Sequence, residues 1–374
     1  MRKLRLAVVG AGRLGGFHAQ KLAQRDDAEL VAVVDPDQEA RNRVAAECGT
    51  LPLPDCHGLA LLARKIDAAV IAAPTRLHHL LGIELLSSGV HLLVEKPLAA
   101  TAAEADALVE AARRAGVVLQ VGHVERFNPA LAAALPYIGD PKYVEAVRAG
   151  GFTFRSTDIG VVLDLMIHDL DLVLSIVRSP VRKVEALGLS VLGGHEDVAN
   201  ARLEFECGCV AALSASRVSH EPARRMQVWS PRAYAHLDFA TRATTVVRPS
   251  ETILSRRFDV GSLSAEQVEH HRQHFAEEHL RREEFSGEAV DALMLELDDF
   301  LRSIRTSRPP RVSGEQGREA VAVAEQVLAK IHTHRWGDAD GPVGPMAVPR
   351  PPVIPTPHWN LSSARSPLER KEAG

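Results

Sequence analysis

The first third of the chain alternates short apolar runs with amphipathic segments. The segment 101–116 has helical periodicity, begins with a capping box of Thr101 and Glu104, and ends at Gly116. The apolar runs are almost continuously hydrophobic, which is typical of parallel strands covered on both faces. These runs lie at residues 4–10, 29–35, 67–74, 91–97 and 117–123. The alternation predicts a doubly wound α/β sheet.

The pattern changes after residue 123. Three segments, 181–192, 200–218 and 225–248, are rich in Val, Leu, Ala and Thr and lack regular intervening helices. Segments of this kind predict a second, mostly antiparallel sheet. The part of the chain after these segments contains helical and proline-rich stretches instead.

Helical patterns follow the second predicted sheet. Residues 264–284 are highly charged and predict an exposed helix, whereas 288–305 and 314–332 predict amphipathic helices. The last of these opens with Ser313 and Gln316, which predict a capping box. Residues 338–374 are rich in proline and poor in core-forming positions, so we expect this tail to be disordered.

Composition fits a globular protein with more than one core. The 374 residues suffice for two domains, and 46% hydrophobic and 25% charged residues are ordinary for soluble proteins. A net charge of −4 gives no electrostatic basis for binding nucleic acid or an anionic membrane surface. No apolar stretch approaches the roughly 20 residues of a membrane span. The N-terminal apolar run is also too short for a signal peptide.

The four cysteines, Cys48, Cys56, Cys207 and Cys209, show neither metal-ligand spacing nor a disulfide framework. We therefore expect buried thiols and no bound metal. A reducing, cytoplasmic location is the corresponding expectation.

A glycine-rich loop follows the first predicted strand and opens a helix. Gly10 permits a tight turn, Gly12 lets the backbone approach a pyrophosphate, and Gly15 lets the helix pack closely on the strand. The helix N-terminus then offers N–H groups and partial positive charge to phosphates. This context predicts a dinucleotide site that includes the intervening residues Arg13 and Leu14.

The second predicted strand ends at Asp35, twenty residues beyond Gly15. A carboxylate there accepts hydrogen bonds from the ribose hydroxyls and repels a 2′-phosphate, which favours NAD over NADP. Arg13 is able to meet a 2′-phosphate, so NADP remains the alternative. The structural alternative makes Asp35 a residue of the turn that follows the strand.

Ligands of open α/β sheets bind at the carboxyl ends of the strands, so residues at the other strand ends gain importance. We expect cofactor contacts there from Pro74, Thr75, His78, Glu95 and Lys96. His123 lies at the same edge, after the last of these strands.

A polar stripe runs along the otherwise apolar segment 160–177. Successive residues of a helix are rotated by about 100°, which would bring the members of this stripe onto one face. The members are Asp164, His168, Asp171 and Ser175. A buried stripe must find partners or face a wet cleft. An Asp–His pair satisfied within the core is the structural alternative, but the nearby Lys96 and nucleotide loop favour a catalytic cleft.

These features together resemble the Gfo/Idh/MocA family of sugar dehydrogenases. The matching parts are residues 10–15, Asp35, residues 72–79, residues 90–97 and Asp164 with His168. The resemblance implies an NAD-binding Rossmann domain over 1–123 and an α+β domain with an open, mostly antiparallel sheet over 124–335. It further implies that the last helix packs back on the first domain, that Lys96–Pro97 can be cis, and that the chain forms a homodimer or homotetramer.

Residues 121–130 and 155–173 are similar to bacterial dehydrogenases that oxidise the 3-hydroxyl of UDP-N-acetylglucosamine for lipid A synthesis. This resemblance implies that Arg126, Asn128 and Arg155 bind the sugar or the diphosphate, for which arginine has a suitable fork of donors. The alternative for Arg126 and Arg155 is a salt bridge in solvent.

The expected chemistry uses three residues. His168 acts as general base on a ring hydroxyl, Asp164 holds the imidazole tautomer, and Lys96 stabilises negative charge on the substrate oxygen. Lys96 is the alternative base. An inositol or free-sugar dehydrogenase is the alternative enzyme, and a non-catalytic NAD-binding regulator is the alternative of another class.

Overall fold

The structure, a computed structural model, describes most of the chain. Two predicted features lie outside the described residues, namely Arg155 and the larger part of the proline-rich tail. The described residues are 2–56, 66–154, 158–192, 194–287, 290–337 and 339–344. They form two large sheets, each covered by helices.

The first sheet is parallel throughout. Its strands are β1 Leu4–Val9, β2 Ala28–Val34, β3 Leu51–Leu53, β4 Ala68–Ile71, β5 His91–Glu95 and β6 Leu119–Gly122. Their spatial order is β3–β2–β1–β4–β5–β6. This order reverses direction between β1 and β4, which is the doubly wound arrangement of dinucleotide-binding domains. The predicted parallel sheet is confirmed, whereas β3 was missed because its three residues are too few for a recognisable pattern.

Helices cover both faces of this sheet. Four of them are Arg13–Ala23, Gln38–Cys48, Thr75–Ser87 and Ala102–Ala115. The last helix begins where the Thr101 hydroxyl accepts a hydrogen bond from Glu104 N at 3.2 Å, and it ends at Gly116 with φ of +65°. The predicted capping box is only half formed, because the Glu104 carboxylate accepts from Ala100 N at 3.1 Å.

The second sheet contains eight strands. They are β7 Tyr143–Ala149, β8 Val181–Leu189, β9 Val198–Phe205, β10 Val210–Ser216, β11 Ala223–Trp229, β12 Tyr234–Asp238, β13 Ala243–Pro249 and β14 Leu280–Ser286. The spatial order is β14–β13–β12–β11–β7–β10–β9–β8. Only β7 and β10 pair in parallel, so the predicted mostly antiparallel sheet is confirmed.

The prediction of one helix over residues 264–284 was wrong in its second half. The helix Ala265–His279 begins at a capping box of Ser264 and Gln267, and the chain then extends into β14. Within β14, Glu283 and Phe285 are partly buried and their neighbours are exposed. Backbone pairing with β13 decides the structure here, because a run of charged residues has no clear hydrophobic period.

The remaining elements complete the second domain and its connections. The α-helices are Pro129–Ala134, Ile167–Val177, Glu251–Leu254, Ala292–Thr306 and Gly314–Thr333. Shorter elements are the 3₁₀ turns Val124–Phe127 and Val260–Ser262, the π-helical turn Val162–Met166, and the strands β15 Arg335–Trp336 and β16 Ala339–Asp340. The capping box predicted for Ser313 and Gln316 is present.

Two C-terminal helices pack against the first domain. Phe300 of the helix Ala292–Thr306 is fully buried in the core on one face of the parallel sheet. In the helix Gly314–Thr333, Val321 belongs to the core on the opposite face, whereas Val327 belongs to the core of the second sheet. A single helix therefore contributes to both cores.

The cysteines are free thiols. Cys56 and Cys209 are buried as expected, but the expectation was wrong for Cys207, which is exposed in the turn between β9 and β10, and for Cys48, which is half-buried. Among the described residues, no helix combines the length and the apolar character needed to cross a membrane.

A buried charge network joins the second sheet to the helix Ile167–Val177. Arg148 of β7 donates to both carboxylate oxygens of Asp169, with Nη2 2.9 Å from Oδ1 and Nε 3.1 Å from Oδ2. Its Nη1 donates to Glu125 at 2.9 Å. The guanidinium of Arg148 thus pairs with two buried carboxylates. This pairing explains why the polar Asp169 occurs in an apolar helix.

Replacing the arginine of this network is expected to destabilise the fold. Arg148→Met leaves Asp169 and Glu125 buried without a counter-charge, which costs about 3–5 kcal/mol. Arg182→Met removes an arginine from an exposed pair with Glu204 and is the matched control. Urea unfolding should show a large loss for the first variant and none for the second. Equal stabilities would show that the network contributes nothing.

Candidate active site

The glycine loop lies between β1 and the helix Arg13–Ala23. Gly10 has a φ of +109°, and a Cβ there would lie 2.5 Å from the carbonyl oxygen of Ala72. A Cβ on Gly15 would lie 1.8 Å from the carbonyl oxygen of Gly10. Both positions therefore require glycine, one for the turn and one for the close approach of helix and loop.

The start of this helix fits the diphosphate of a dinucleotide. Gly12 is the N-cap residue, no side chain caps the helix, and a Cβ on Gly12 would meet nothing within 4 Å. The first-turn N–H groups thus face open space through which a phosphate can approach the backbone. Arg13 and Leu14 are exposed at the same end, where the Arg13 guanidinium lies 5.6 Å from the centre of the Phe17 ring.

Asp35 lies beside the loop, directly after β2. Its carboxylate accepts hydrogen bonds from Ala11 N at 2.6 Å and from Asp37 N at 2.8 Å. These bonds fix the carboxylate at the edge where the sequence predicts the adenosine ribose. The bond to Asp37 N also gives Asp35 the turn role considered as the alternative, so both roles are compatible.

The strand end after β4 holds Pro74, Thr75 and His78. Pro74 is the N-cap residue of the helix Thr75–Ser87 and Thr75 is buried. The buried His78 ring lies with Nδ1 2.9 Å from the Pro97 carbonyl oxygen and Nε2 2.7 Å from that of Ala73. A neutral imidazole donates to only one of these two carbonyls, and both nitrogens of the buried ring face the protein, so no side-chain nitrogen of His78 is directed at a cofactor. The ring instead holds two strand ends together.

Lys96 connects the two domains. It follows β5, and its bond to Pro97 is cis, as expected. The Lys96 Nζ donates to the backbone oxygen of Asp164 at 2.6 Å and to its Oδ1 at 3.1 Å. The side chains are 13% and 20% exposed, so the pair is shielded but still open to a ligand. A lysine from the nucleotide domain therefore meets an aspartate of the second domain.

The segment that carries Asp164 is not the continuous α-helix predicted over 160–177. Residues Val162–Met166 form a π-helical turn, and the α-helix begins at Ile167. Val162 N donates to the Glu196 carboxylate at 3.1 Å, and a Cβ on Gly160 would lie 2.0 Å from that carboxylate. The wide turn is thus held by a glutamate from another segment, which sequence periodicity does not reveal.

His168 lies near the start of the α-helix, four residues after Asp164. Burial lowers the pKa of His168 well below its usual value, and the charges of Lys96 and Arg148 lower it further. The imidazole is therefore neutral at physiological pH and is able to accept a proton. In the described part of the chain, its Nδ1 has no hydrogen-bond partner.

This geometry corrects the role expected for Asp164. Among the described residues, Asp164 makes no hydrogen bond to the Nδ1 of His168, and its carboxylate accepts from Lys96 instead. Asp164 orients the lysine rather than the imidazole tautomer. The remaining members of the stripe have local partners, since Ser175 donates to Leu172 O at 2.6 Å and Asp171 pairs with Arg126.

The predicted substrate ligands have other partners. Arg126 Nε lies 2.9 Å from the buried Asp171 carboxylate, so the arginine is in an ion pair that is buried rather than in solvent. Asn128 Nδ2 donates to Glu125 at 2.9 Å and to Phe239 O at 3.1 Å. Its Oδ1 accepts from Ala130 N at 3.0 Å, which caps a helix. The ligand role of Asn128 is therefore wrong. Arg155 lies outside the described residues.

His123 lies at this site, although the sequence placed it only at a strand end and not among the predicted site residues. It is buried directly after β6, and its ring centre lies 6.1 Å from that of His168 at a steep angle. Neither ring nitrogen has a hydrogen-bond partner among the described residues. Its place at a strand end was visible in the sequence, but its contact with His168 depends on the other domain.

Comparison with known proteins identifies both parts of the chain. Residues 4–123 match the Gfo/Idh/MocA oxidoreductase family, NAD-binding Rossmann fold, and residues 137–235 match the Gfo/Idh/MocA C-terminal domain. The UDP-N-acetylglucosamine 3-dehydrogenase of Acidithiobacillus ferrooxidans is 36% identical over 335 residues, covering 88% of this chain and 98% of that protein. The chain belongs to the Gfo/Idh/MocA family. It is thus an oxidoreductase with an NAD-binding domain, as the sequence resemblance implied.

Other comparisons support the same family over nearly the same length. The solved structure of the Acidithiobacillus ferrooxidans enzyme has a TM-score of 0.76 at 35% identity and covers 88% of this chain and 98% of its own. The myo-inositol 2-dehydrogenase of Thermotoga maritima is 28% identical over 350 residues, covering 89% of this chain and 97% of that protein. The similarity therefore extends through both sheets.

In this member of the Gfo/Idh/MocA family, Lys96 lies next to a buried layer of side chains, which consists of His18, Glu95 and Glu296. Glu95 precedes Lys96, and its Oε1 lies 2.7 Å from Nε2 of the buried His18. The expectation that Glu95 contacts the cofactor is wrong for its side chain, which is buried and bonded to His18. Glu296 of the helix Ala292–Thr306 is fully buried, and neither carboxyl oxygen has a partner in the described structure.

The two glutamates of this layer differ in charge. Burial favours a raised pKa for Glu95, but the hydrogen bond to His18 and the charges of His18 and Lys96 outweigh burial, so the pKa is lowered. Burial raises the pKa of Glu296 well above its usual value, and the charges of Glu95 and Asp299 add to this. Glu296 is therefore a neutral acid at physiological pH, beside an ionised Glu95.

Replacing Glu296 with glutamine, which carries no charge at any pH, is expected to stabilise the chain at high pH. The folded chain keeps a proton on Glu296 that the unfolded chain loses above its ordinary pKa, so stability falls as the pH rises. Glu296→Gln removes this dependence. From about pH 5 to about pH 8, its free energy of unfolding should rise relative to the parent by up to about 1.4 kcal/mol per pH unit.

The control for this comparison is Glu325→Gln, because Glu325 is exposed on the helix Gly314–Thr333. Chemical unfolding at several pH values measures all three chains. Parallel curves for the parent and Glu296→Gln would contradict a neutral Glu296.

Proposed function

We propose that this protein oxidises a ring hydroxyl of a nucleotide sugar with NAD as hydride acceptor, and that the substrate is UDP-N-acetylglucosamine at its 3-hydroxyl. The observation that carries the proposal is the contact of Lys96 Nζ with Asp164. Through it, an ammonium at the end of β5 lies beside the turn that leads to the neutral His168. Such a pair of groups suits the removal of a proton from an alcohol and the stabilisation of the resulting oxygen charge.

In the proposed mechanism, His168 accepts the proton of the substrate hydroxyl. The lowered pKa of His168, caused by burial and by Lys96, keeps the imidazole neutral and ready for this transfer. The Lys96 ammonium has three N–H donors, of which Asp164 accepts two, so the third remains for the substrate oxygen. The glycine loop and Asp35 would hold NAD, which would supply the hydride acceptor for the carbinol carbon, so that the alcohol would be oxidised to a ketone.

The choice of substrate rests on the relatives. The relative with 36% identity over 98% of its own length is named UDP-N-acetylglucosamine 3-dehydrogenase. Similarity to a myo-inositol 2-dehydrogenase at 28% identity makes an inositol the second candidate. A regulator that only binds NAD has no need of Lys96, Asp164 and His168 together. Arg155 remains a proposed diphosphate ligand, and the homodimer or homotetramer remains a prediction.

The catalytic role of Lys96 predicts a specific defect. Lys96→Met removes the ammonium that stabilises the substrate oxygen, so kcat for UDP-N-acetylglucosamine oxidation should fall about 10²–10³-fold. NAD affinity should stay nearly unchanged, because the glycine loop is intact. NADH absorbance reports turnover, and calorimetric titration reports NAD binding.

Two controls make this result interpretable. Lys142→Met alters an exposed lysine paired with Asp140 and should leave kcat unchanged. The parent should also be assayed with myo-inositol and simple hexoses. Turnover of an inositol alone would overturn the nucleotide-sugar proposal, and unaltered kinetics of Lys96→Met would remove the lysine from the chemistry.

We also propose that NAD is preferred to NADP. The Asp35 carboxylate is held at the loop by Ala11 N and Asp37 N and would repel a 2′-phosphate. Arg13, at the exposed start of the helix, is the residue that favours NADP instead.

Removing the charge of Asp35 should relax this preference. For Asp35→Asn, the ratio of kcat/KM with NAD to kcat/KM with NADP should fall at least tenfold, which corresponds to about 1.4 kcal/mol. Asp37→Asn is the matched control, because asparagine preserves the helix cap on Ala40 N and removes a neighbouring charge. An unchanged ratio in Asp35→Asn, or an equal fall in both variants, would contradict the assignment.

A further inference from the structure

A histidine-rich cluster lies at the end of the helix Ala265–His279, on residues that the proposed reaction does not use. Glu278 and His279 follow His271 by seven and eight residues, about two helical turns, and they are the last two residues of the helix. One ligand atom from each lies within 4.8 Å of the other two. The cysteine spacing predicted no metal, but residues 265–279 contain no cysteine, so that prediction did not concern this helix.

Of the two histidine–carboxylate distances in the cluster, that of His271 matches the spacing of ligands around a small cation and that of His279 is slightly longer. His271 Nδ1 lies 3.3 Å and His279 Nε2 lies 3.9 Å from the same oxygen of Glu278, Oε2. Zinc bonds of about 2.0–2.2 Å place tetrahedral ligand atoms about 3.3–3.6 Å apart. His271 Nδ1 is shielded from solvent and has no hydrogen-bond partner among the described residues. Two imidazoles therefore converge on one carboxylate oxygen without a good hydrogen bond to it.

Neighbouring side chains orient all three groups. The other ring nitrogen of His279, Nδ1, lies 3.0 Å from the Ser250 hydroxyl, which leaves Nε2 directed to the cluster. His270 Nε2 lies 2.7 Å from Glu278 Oε1, which leaves Oε2 for the cluster. Such outer contacts are typical around metal ligands, since they fix the tautomer and the carboxylate orientation. The Phe258 ring packs edge-on against His271 and His279, with centres 5.1 and 4.9 Å away.

We propose that His271, Glu278 and His279 bind one Zn²⁺ ion at the outer edge of the second sheet. Two imidazole nitrogens and one carboxylate oxygen suit zinc and the neighbouring late transition metals, whereas Mg²⁺ and Ca²⁺ prefer oxygen ligands alone. The Glu278 side chain is 39% exposed, so water completes the coordination. The ion would hold the last two turns of the helix together, next to the start of β14 and to Ser250, which contacts His279 directly.

Metal titration of the full-length chain, prepared without a histidine tag and stripped with a chelator, tests the proposal. Zn²⁺ is added in competition with a chromophoric chelator, and Co²⁺ is added separately for its visible absorption. We expect one Zn²⁺ per chain and a Co²⁺ spectrum typical of four-coordinate geometry. Absence of saturable binding by the parent would overturn the proposal.

Variants locate the ion. His271→Ala and His279→Ala should each weaken Zn²⁺ binding at least tenfold, and Glu278→Gln should weaken it while keeping the side-chain size. The control is His332→Ala, which alters an exposed histidine of the helix Gly314–Thr333 and should bind like the parent. Circular dichroism verifies that each variant is folded. Parent-like binding by a folded His271→Ala/His279→Ala double variant would overturn the assignment.

Discussion

The contact of Lys96 with Asp164 is the interaction on which the candidate site depends, because it joins residues from different domains. Lys96 is positioned by β5, which it directly follows, and Asp164 is positioned by the π-helical turn of the second domain. The two sheets therefore have to be packed together before the ammonium is oriented and before the charge that lowers the pKa of His168 is present.

The charges around this contact follow an order that supports proton transfer. Burial keeps Glu296 and His168 neutral, whereas the bond to His18 outweighs burial at Glu95, and Lys96 pairs with Asp164. Burial determines which groups lose their charge, and close ion pairs determine which groups keep it. The second domain uses the same principle at Arg148, where one cation balances two buried carboxylates. A neutral imidazole beside a charged lysine is the result that matters for chemistry.

Local sequence patterns predicted the parts of this arrangement that depend on neighbouring residues. Continuous apolar runs indicated parallel strands, and Gly10, Gly12 and Gly15 indicated a dinucleotide loop, because each feature is encoded within a few residues. Patterns failed where a distant partner decides the outcome. The π-helical turn depends on Glu196, β14 depends on pairing with β13, and Asn128 donates to the distant backbone oxygen of Phe239. Glu296 looked like an ordinary helix residue, since its burial against the first domain comes from tertiary packing alone.

The helix Gly314–Thr333 limits how the two domains can move. Val321 is packed in one core and Val327, less than two turns further on, is packed in the other. A hinge motion that separated the domains would have to pull one of these side chains from its core or bend a regular helix, and both are opposed by the loss of apolar contacts. We therefore expect the two sheets to keep a constant relative orientation when a ligand binds.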